Sequence, residues 1–414
     1  MSKRKVWINS TVAIFAALLA TACSSSGSSS SSPSAGAGTS TSTSRTGTIT
    51  IGFIGSLQSA TYSFPETAAA AQAEVDAVNA AGGIHGAKVK LSVCNDQANT
   101  SQAVVCVRQM TNAGAVGVIG GISTVGDTIT SDLQAAHLIY TGERPLSPGE
   151  LNSPISFPMV GGGESSAAGL AVYAAKTAGC KRMYMIVSDS SPSELTAAAF
   201  AKGFTYASGG TSVGQTVTPS PNTSYAAAAA DAVAYHPDCV FFALDVPEGP
   251  KAIPTVRAAL PNAKFFNTAG AMPTTIIKVL GKSADGIYLS DSVLPVNDTS
   301  NATLNQFKAE MAQYEPKQVV DGFGVTSWLG TRLLINTISN MTGPITAQTV
   351  QNAFDQLGAY NGEGVIGSFN FKTASPIAAA KREVNLDYLV FQVQNGTYQV
   401  SDPTFQDAAA AMGG

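Results

Sequence analysis

The residues best arranged for chemistry lie at positions 116–128, Val-Gly-Val-Ile-Gly-Gly-Ile-Ser-Thr-Val-Gly-Asp-Thr. The apolar run 116–119 has the length of a buried parallel strand. Gly120 and Gly121 interrupt it, and Ser123, Thr124, Asp127 and Thr128 then offer N-cap side chains for a helix reaching Gln134. This order gathers free backbone N–H groups and the hydroxyls of Ser123 and Thr124 at the carboxyl end of a strand. Such a point suits a carboxylate or another polar ligand group. An ordinary βα turn has the same outline, so the stretch has to be weighed with the rest of the chain.

Groupings for catalysis are missing from the sequence. Gly121-Ile-Ser-Thr-Val does not complete Gly-X-Ser-X-Gly, because Val125 holds the last place. His85, His137 and His236 are scattered beside turns or strand starts, and no His/Cys spacing suits zinc. Gly52-X-X-Gly55 is not a dinucleotide fingerprint. Asp245 and Glu248 form a pair of acids of the kind any loop can supply. We therefore expect a binding protein and not an enzyme, with no metal and no cofactor.

The chain that positions these residues has 414 of them, enough for two domains of ordinary size. Hydrophobic residues make up 44%, which supports real cores. A net charge of −4, with no basic stretch beyond the extreme N-terminus, argues against a nucleic-acid partner. At that N-terminus Lys3, Arg4 and Lys5 precede an apolar run over 12–19, and Ala20, Thr21 and Ala22 lead to Cys23. This resembles a lipoprotein signal, cleaved before a cysteine that then carries lipid, although Ala20 stands where such signals prefer Leu. Positions 24–44 are almost wholly Ser, Gly, Ala, Thr and Pro and read as a flexible tether. The expectation is a signal over 1–22, a tether over 23–46, and a protein anchored through Cys23 to the outer face of the cell membrane.

Four cysteines remain for an oxidising compartment, and they allow three pairings. Cys94 ends a predicted strand and Cys106 lies in the following helix, so this pair would close a short local loop. Cys180 and Cys239 each start a predicted strand, and in a doubly wound sheet those strands would be neighbours.

Element patterns repeat along the chain. Strands over 48–54, 89–93, 116–119 and 138–141 alternate with helices over 65–80 and 101–113 and the one reaching Gln134, which implies a parallel sheet with right-handed crossovers. The alternation restarts with helices over 165–177, 193–207, 224–235 and 251–259 and strands over 183–187, 212–217, 240–243 and 264–266. An extended stretch over 286–290 follows, then helices over 304–314, 324–340 and 347–357. Strands over 365–371 and 386–393 come last, with Asn395-Gly396 as a hairpin turn into 397–400. The late helices exceed what the second lobe needs, so the chain is expected to recross to the first.

In this order the motifs resemble a known family. They are Asn79-Ala-Ala-Gly-Gly-Ile-His-Gly, Asp96 after the second strand, Val118-Ile-Gly-Gly, Tyr235-His-Pro-Asp-Cys-Val-Phe-Phe-Ala, Ala284-Asp-Gly-Ile-Tyr and the helix over 324–334. The chain is similar to the leucine/isoleucine/valine-binding type of extracytoplasmic solute-binding protein that serves ABC importers. The resemblance implies the type I periplasmic binding protein clamshell, an α/β fold of two Rossmann-like lobes with parallel sheets joined by a three-strand hinge. One lobe would comprise 47–158 with 292–362 and the other 159–291 with 363–403, leaving 404–414 as a tail. The crossovers are expected near 157–161, 289–294 and 361–371. A monomer would capture a small polar solute (an amino acid, an amide or a small carboxylate) and deliver it to a membrane permease. The alternative use of the same fold is a sensor that reports its ligand to a membrane receptor.

Carried over residue by residue, the resemblance puts a carboxylate-binding hydroxyl on Thr124, with Ser123 beside it, and a ligand-packing aromatic on Tyr62 or Phe64. In the loop after the fourth strand, Thr141, Glu143 and Arg144 stand where the family has small polar contacts. Asp189 and Asp245 occupy second-lobe positions where the family offers aromatics. The acid that meets the ligand ammonium in the family is Ala269 here. Either Asp189 or Asp245 takes its place, or the ligand is not an α-amino acid. Arg144 could take a ligand carboxylate bidentately; its other reading is a surface cation paired with Glu143 or Glu150.

Overall fold

The computed structural model describes residues 47–59 and 63–413. The expectations for the signal, the tether, Cys23 and Tyr62 fall outside them. The first sheet is built from short strands, β1 (Thr48–Gly55), β2 (Lys88–Asn95), β3 (Val118–Gly120), β4 (Tyr140–Thr141) and β5 (Ser156–Phe157). All are parallel, in the order β2-β1-β3-β4-β5. The centre of β1 is apolar on both faces because both are covered: Ile51 and Phe53 are fully buried on one side and Ile54 on the other.

Helices α1 (Pro65–Ala80), α2 (Thr100–Asn112), α3 (Gly126–Ala135) and α4 (Pro148–Asn152) follow the strands of this sheet in turn. Pro65 opens α1, where its missing N–H costs nothing. Asn99 caps α2 by accepting from the Gln102 N–H. The fourth helix is a single turn after Ser147-Pro148, too short for periodicity to reveal.

The second sheet runs β14-β13-β10-β9-β8-β6-β7. Its parallel part is β6 (Met183–Ser188), β7 (Gly214–Thr218), β8 (Cys239–Ala243), β9 (Lys264–Thr268) and β10 (Tyr288–Asp291). Helix α5 (Gly163–Lys176) leads into β6, and α6 (Ser191–Ser208), α7 (Ala226–Tyr235), α8 (Gly249–Ala259) and α9 (Thr274–Leu280) lie between the strands; together they leave a separate apolar cluster on each face. The chain then returns to the first sheet through α10 (Ala302–Tyr314), α11 (Gly322–Ser339) and α12 (Ala347–Phe354), whose buried side chains join the β1 and α1 cluster. Among the described residues no helix is long and apolar enough to cross a membrane.

The C-terminal part differs from expectation. The strand expected over 365–371 contracts to β12 (Phe369–Asn370), paired with β11 (Ala359–Tyr360). Between them the chain turns tightly, with Glu363 at φ 51°. After β13 (Asp387–Gln394), β14 continues from Thr397 to Asp407 and leads into α13 (Ala409–Met412). The residues expected to form a tail are therefore part of the second lobe: Ala408, Ala411 and Met412 are buried against α5 and α6. A run of four alanines beside one methionine has no hydrophobic periodicity, so only packing identifies it as core.

Two disulfides occur among the described residues. Cys94 is bonded to Cys106, and Cys180 to Cys239, with Cα–Cα distances of 5.4 and 5.8 Å. The second pair joins the start of β8 to the segment entering its neighbour β6.

Candidate functional site

The carboxyl ends of the strands of both sheets, with the helix starts beyond them, surround a cavity of about 140 Å³. From the first sheet's side come Phe64 at the start of α1, Ile122 after β3, Arg144 and Leu146 after β4, and Phe323 in the first turn of α11. From the second sheet's side come Ser166 of α5, Ser193 and Thr196 of α6, Asp245 after β8, Thr268 and Gly270 around the end of β9, and Asp291 at the end of β10.

The first-sheet wall is built around an ion pair. Arg144 Nη1 donates to Asp291 Oδ1 at 2.7 Å, and Nη2 donates to the Gly322 carbonyl at 3.2 Å. The guanidinium lies 5.0 Å from the centre of the Phe323 ring, whose edge meets Phe64 at 5.1 Å. Asp321 holds the start of α11 in place by accepting from the N–H groups of Phe323 and Gly324 at 3.1 and 3.0 Å. Burial raises the Asp321 carboxyl against the opposing pull of these hydrogen bonds and of Arg144. Burial, with Asp321 close by, raises Glu66 as well.

The opposite wall carries Asp245, which is 7% exposed. Oδ1 accepts from the hydroxyls of Ser190 at 2.8 Å and Ser193 at 3.2 Å, and Oδ2 from Ser220 at 2.5 Å. Its N–H donates to Ser188 Oγ at 3.1 Å, which fixes the turn leaving β8. Neutral hydroxyls alone surround this charge: the ion pairs among the described residues are Arg144–Asp291, Lys251–Glu248 and Arg332–Glu363.

Of the residues singled out in the sequence, Phe64, Arg144 and Asp245 meet at the cavity. The other described ones lie elsewhere. Ser123 is fully buried and accepts from the Val125 N–H at 3.1 Å, and Thr124 is exposed, so Ile122 is what this loop presents. Thr141 Oγ1 donates to the Phe157 carbonyl at 2.9 Å and ties β4 to β5. Glu143 is fully buried behind the wall, accepting from Ser156 Oγ at 2.7 Å, and burial pushes its carboxyl up to about 8. Asp189 is exposed, outside the cavity. Arg144 pairs with neither Glu143 nor Glu150 but with Asp291, from a strand of the other sheet.

Asp291, Phe323 and the serines around Asp245 were not foreseen. Ser190 and Ser193 lie in the polar stretch beginning at Asp189, and Ser220 in a similar one, but their convergence needs the adjacency of β6, β7 and β8. Ala269 opens onto a smaller neighbouring cavity that is also lined by Asp291 and Asp321. One grouping of metal-type ligands occurs among the described residues, Cys180, Asp238 and Cys239. Its two sulfurs are the disulfide, and Asp238 accepts from the N–H groups of Lys181 and Arg182.

Comparison with known proteins adds the following. A family model described as periplasmic binding protein matches residues 48–397. No curated protein sequence matches the chain. Among solved structures, a leucine-binding protein from Thermotoga maritima is 15% identical, with a TM-score of 0.71, over 87% of this chain and 99% of its own. A fatty acid ABC transporter substrate-binding protein from Thermomonospora curvata is 12% identical, with a TM-score of 0.73, over 88% and 94%. A branched-chain amino acid transporter substrate-binding protein from Streptococcus pneumoniae, solved with isoleucine, is 16% identical, with a TM-score of 0.70, over 87% and 100%.

Proposed function

Because the chain belongs to the periplasmic binding protein family, whose members are extracytoplasmic substrate-binding proteins and not enzymes, we propose that it captures a small solute in the cavity between its two sheets and delivers it to an ABC permease. The observation that carries this reading is that the two sheets contribute facing walls of one cavity. A solute touching both walls binds the closed arrangement better than an open one, so occupancy biases a hinge, which a permease can sense. We propose further that the protein is a monomer held at the membrane by lipid on Cys23. The structural neighbours include proteins described as binding leucine, isoleucine and fatty acid. Their spread leaves the solute to be decided by this chain's own wall residues.

Thermal unfolding of the full-length protein against a panel of amino acids, amines, amides and small carboxylates tests the reading. A true solute at 100 times its dissociation constant stabilises by about 2.7 kcal/mol, which raises the melting temperature by a few degrees. Protein unfolded, dialysed and refolded to remove carried solute, and still unresponsive to every compound, would overturn it.

A further inference from the structure

Three charged groups line the cavity: Arg144, Asp291 and Asp245. The first two neutralise each other at 2.7 Å. Asp245 is left as a buried carboxylate, and an uncompensated charge in such surroundings is costly. A carboxylate offers about four acceptor positions, and three on Asp245 are filled, two on Oδ1 and one on Oδ2. The remaining position and the uncancelled charge both call for a cationic donor.

A solute carboxylate, by contrast, finds little to hold it. The fork of Arg144 is turned to Asp291 and the Gly322 carbonyl, and its unpartnered Nε is buried, so a solute carboxylate there competes with Asp291 for the same charge. Three of the wall hydroxyls already donate within the protein: Ser193 to Asp245, Thr196 to the Pro192 carbonyl, and Ser290 to the Ser166 carbonyl. The loop after β3 meets the cavity with Ile122 and not with a hydroxyl.

The geometry points to a solute that is an organic monocation, an amine on a compact apolar body, whose ammonium meets Asp245 while the body packs on Ile122, Leu146 and Phe64. A free carboxylate on the solute weakens binding. This rests on the solute-binding reading above and specifies its chemical class.

Two sets of compounds of matched body separate the possibilities: 3-methylbutylamine, leucine and 4-methylpentanoate, and phenethylamine, phenylalanine and 3-phenylpropanoate. Titration calorimetry is run on the full-length protein after unfolding and refolding. The expected result is that the amine of at least one set binds at least tenfold more tightly than its amino acid and its acid. Asp245→Asn abolishes that preference, and Asp189→Asn leaves it intact. Asp245→Asn keeps the cooperative thermal transition of the unsubstituted protein, so its loss of preference is not a folding defect. Equal or tighter binding of an amino acid or acid overturns the assignment while the solute-binding reading stands, as does amine binding that survives Asp245→Asn. No binding by any of the six overturns the assignment, and the wider panel above then decides separately whether the solute-binding reading survives.

Discussion

Arg144 is held at both ends of its fork, by a carboxylate on β10 and by a carbonyl at the start of α11. It therefore joins the loop after β4 to the strand that leaves the second sheet. With the pair only 12% and 11% exposed, removing one partner strands the other. Arg144→Ala is expected to lower stability by about 3 kcal/mol, and the apolar double replacement Arg144→Met with Asp291→Leu to recover most of it. Urea unfolding of the three variants measures this. Asp245 is the opposite case, a charge held by hydroxyls alone, and a ligand is where its compensation is expected. The sequence singled out both residues because charged side chains stood where the resembling family has small polar or aromatic ones. It did not reveal that Arg144 is already paired, since Asp291 is 147 positions away.

At the scale of elements, positions depend on small residues and cross-links. Gly142, at φ +80°, meets Gly330 of α11 backbone to backbone: a Cβ on Gly330 would lie 2.3 Å from the Gly142 Cα. This approach brings α11 against the end of β4, and Ser327 Oγ donating to the Gly120 carbonyl at 3.1 Å ties it to β3. The disulfides act on a longer range. Their sequence separations of 12 and 59 predict, by loop closure in the unfolded chain, losses of about 3 kcal/mol for Cys94→Ala with Cys106→Ala and about 4 kcal/mol for Cys180→Ala with Cys239→Ala. Chemical denaturation of the two double variants checks the order. A larger loss from the shorter loop would show that native packing, not chain entropy, sets their worth.

Over the whole molecule, several glutamates are buried without a cation in contact. Burial raises Glu143 to about 8 and Glu150 and Glu383 to about 7, from an ordinary 4.5. Burial also raises Glu74, which faces Glu310 across the α1, α10 and α11 packing. The folded state thus holds protons that the unfolded chain releases near pH 4.5. Their contribution to stability is full below that pH and is lost as pH rises through about 7 to 8. The urea midpoint is expected to be higher at pH 5 than at pH 8, and Glu143→Gln and Glu383→Gln to reduce the difference. The sequence by itself determined the alternation of elements, the two-lobed α/β class, the neighbouring strands that bring Cys180 near Cys239 and the apolar runs of the cores, because these depend on local periodicity and on a restricted set of connections. It did not determine which polar side chains face inward. Ser123 and Thr141 bond to nearby backbone, Glu143 is sealed behind the wall, and the last residues become core through contact with α5 and α6. Those outcomes were decided by tertiary structure, because a side chain's partner is set by which distant strand ends and helix starts are brought together.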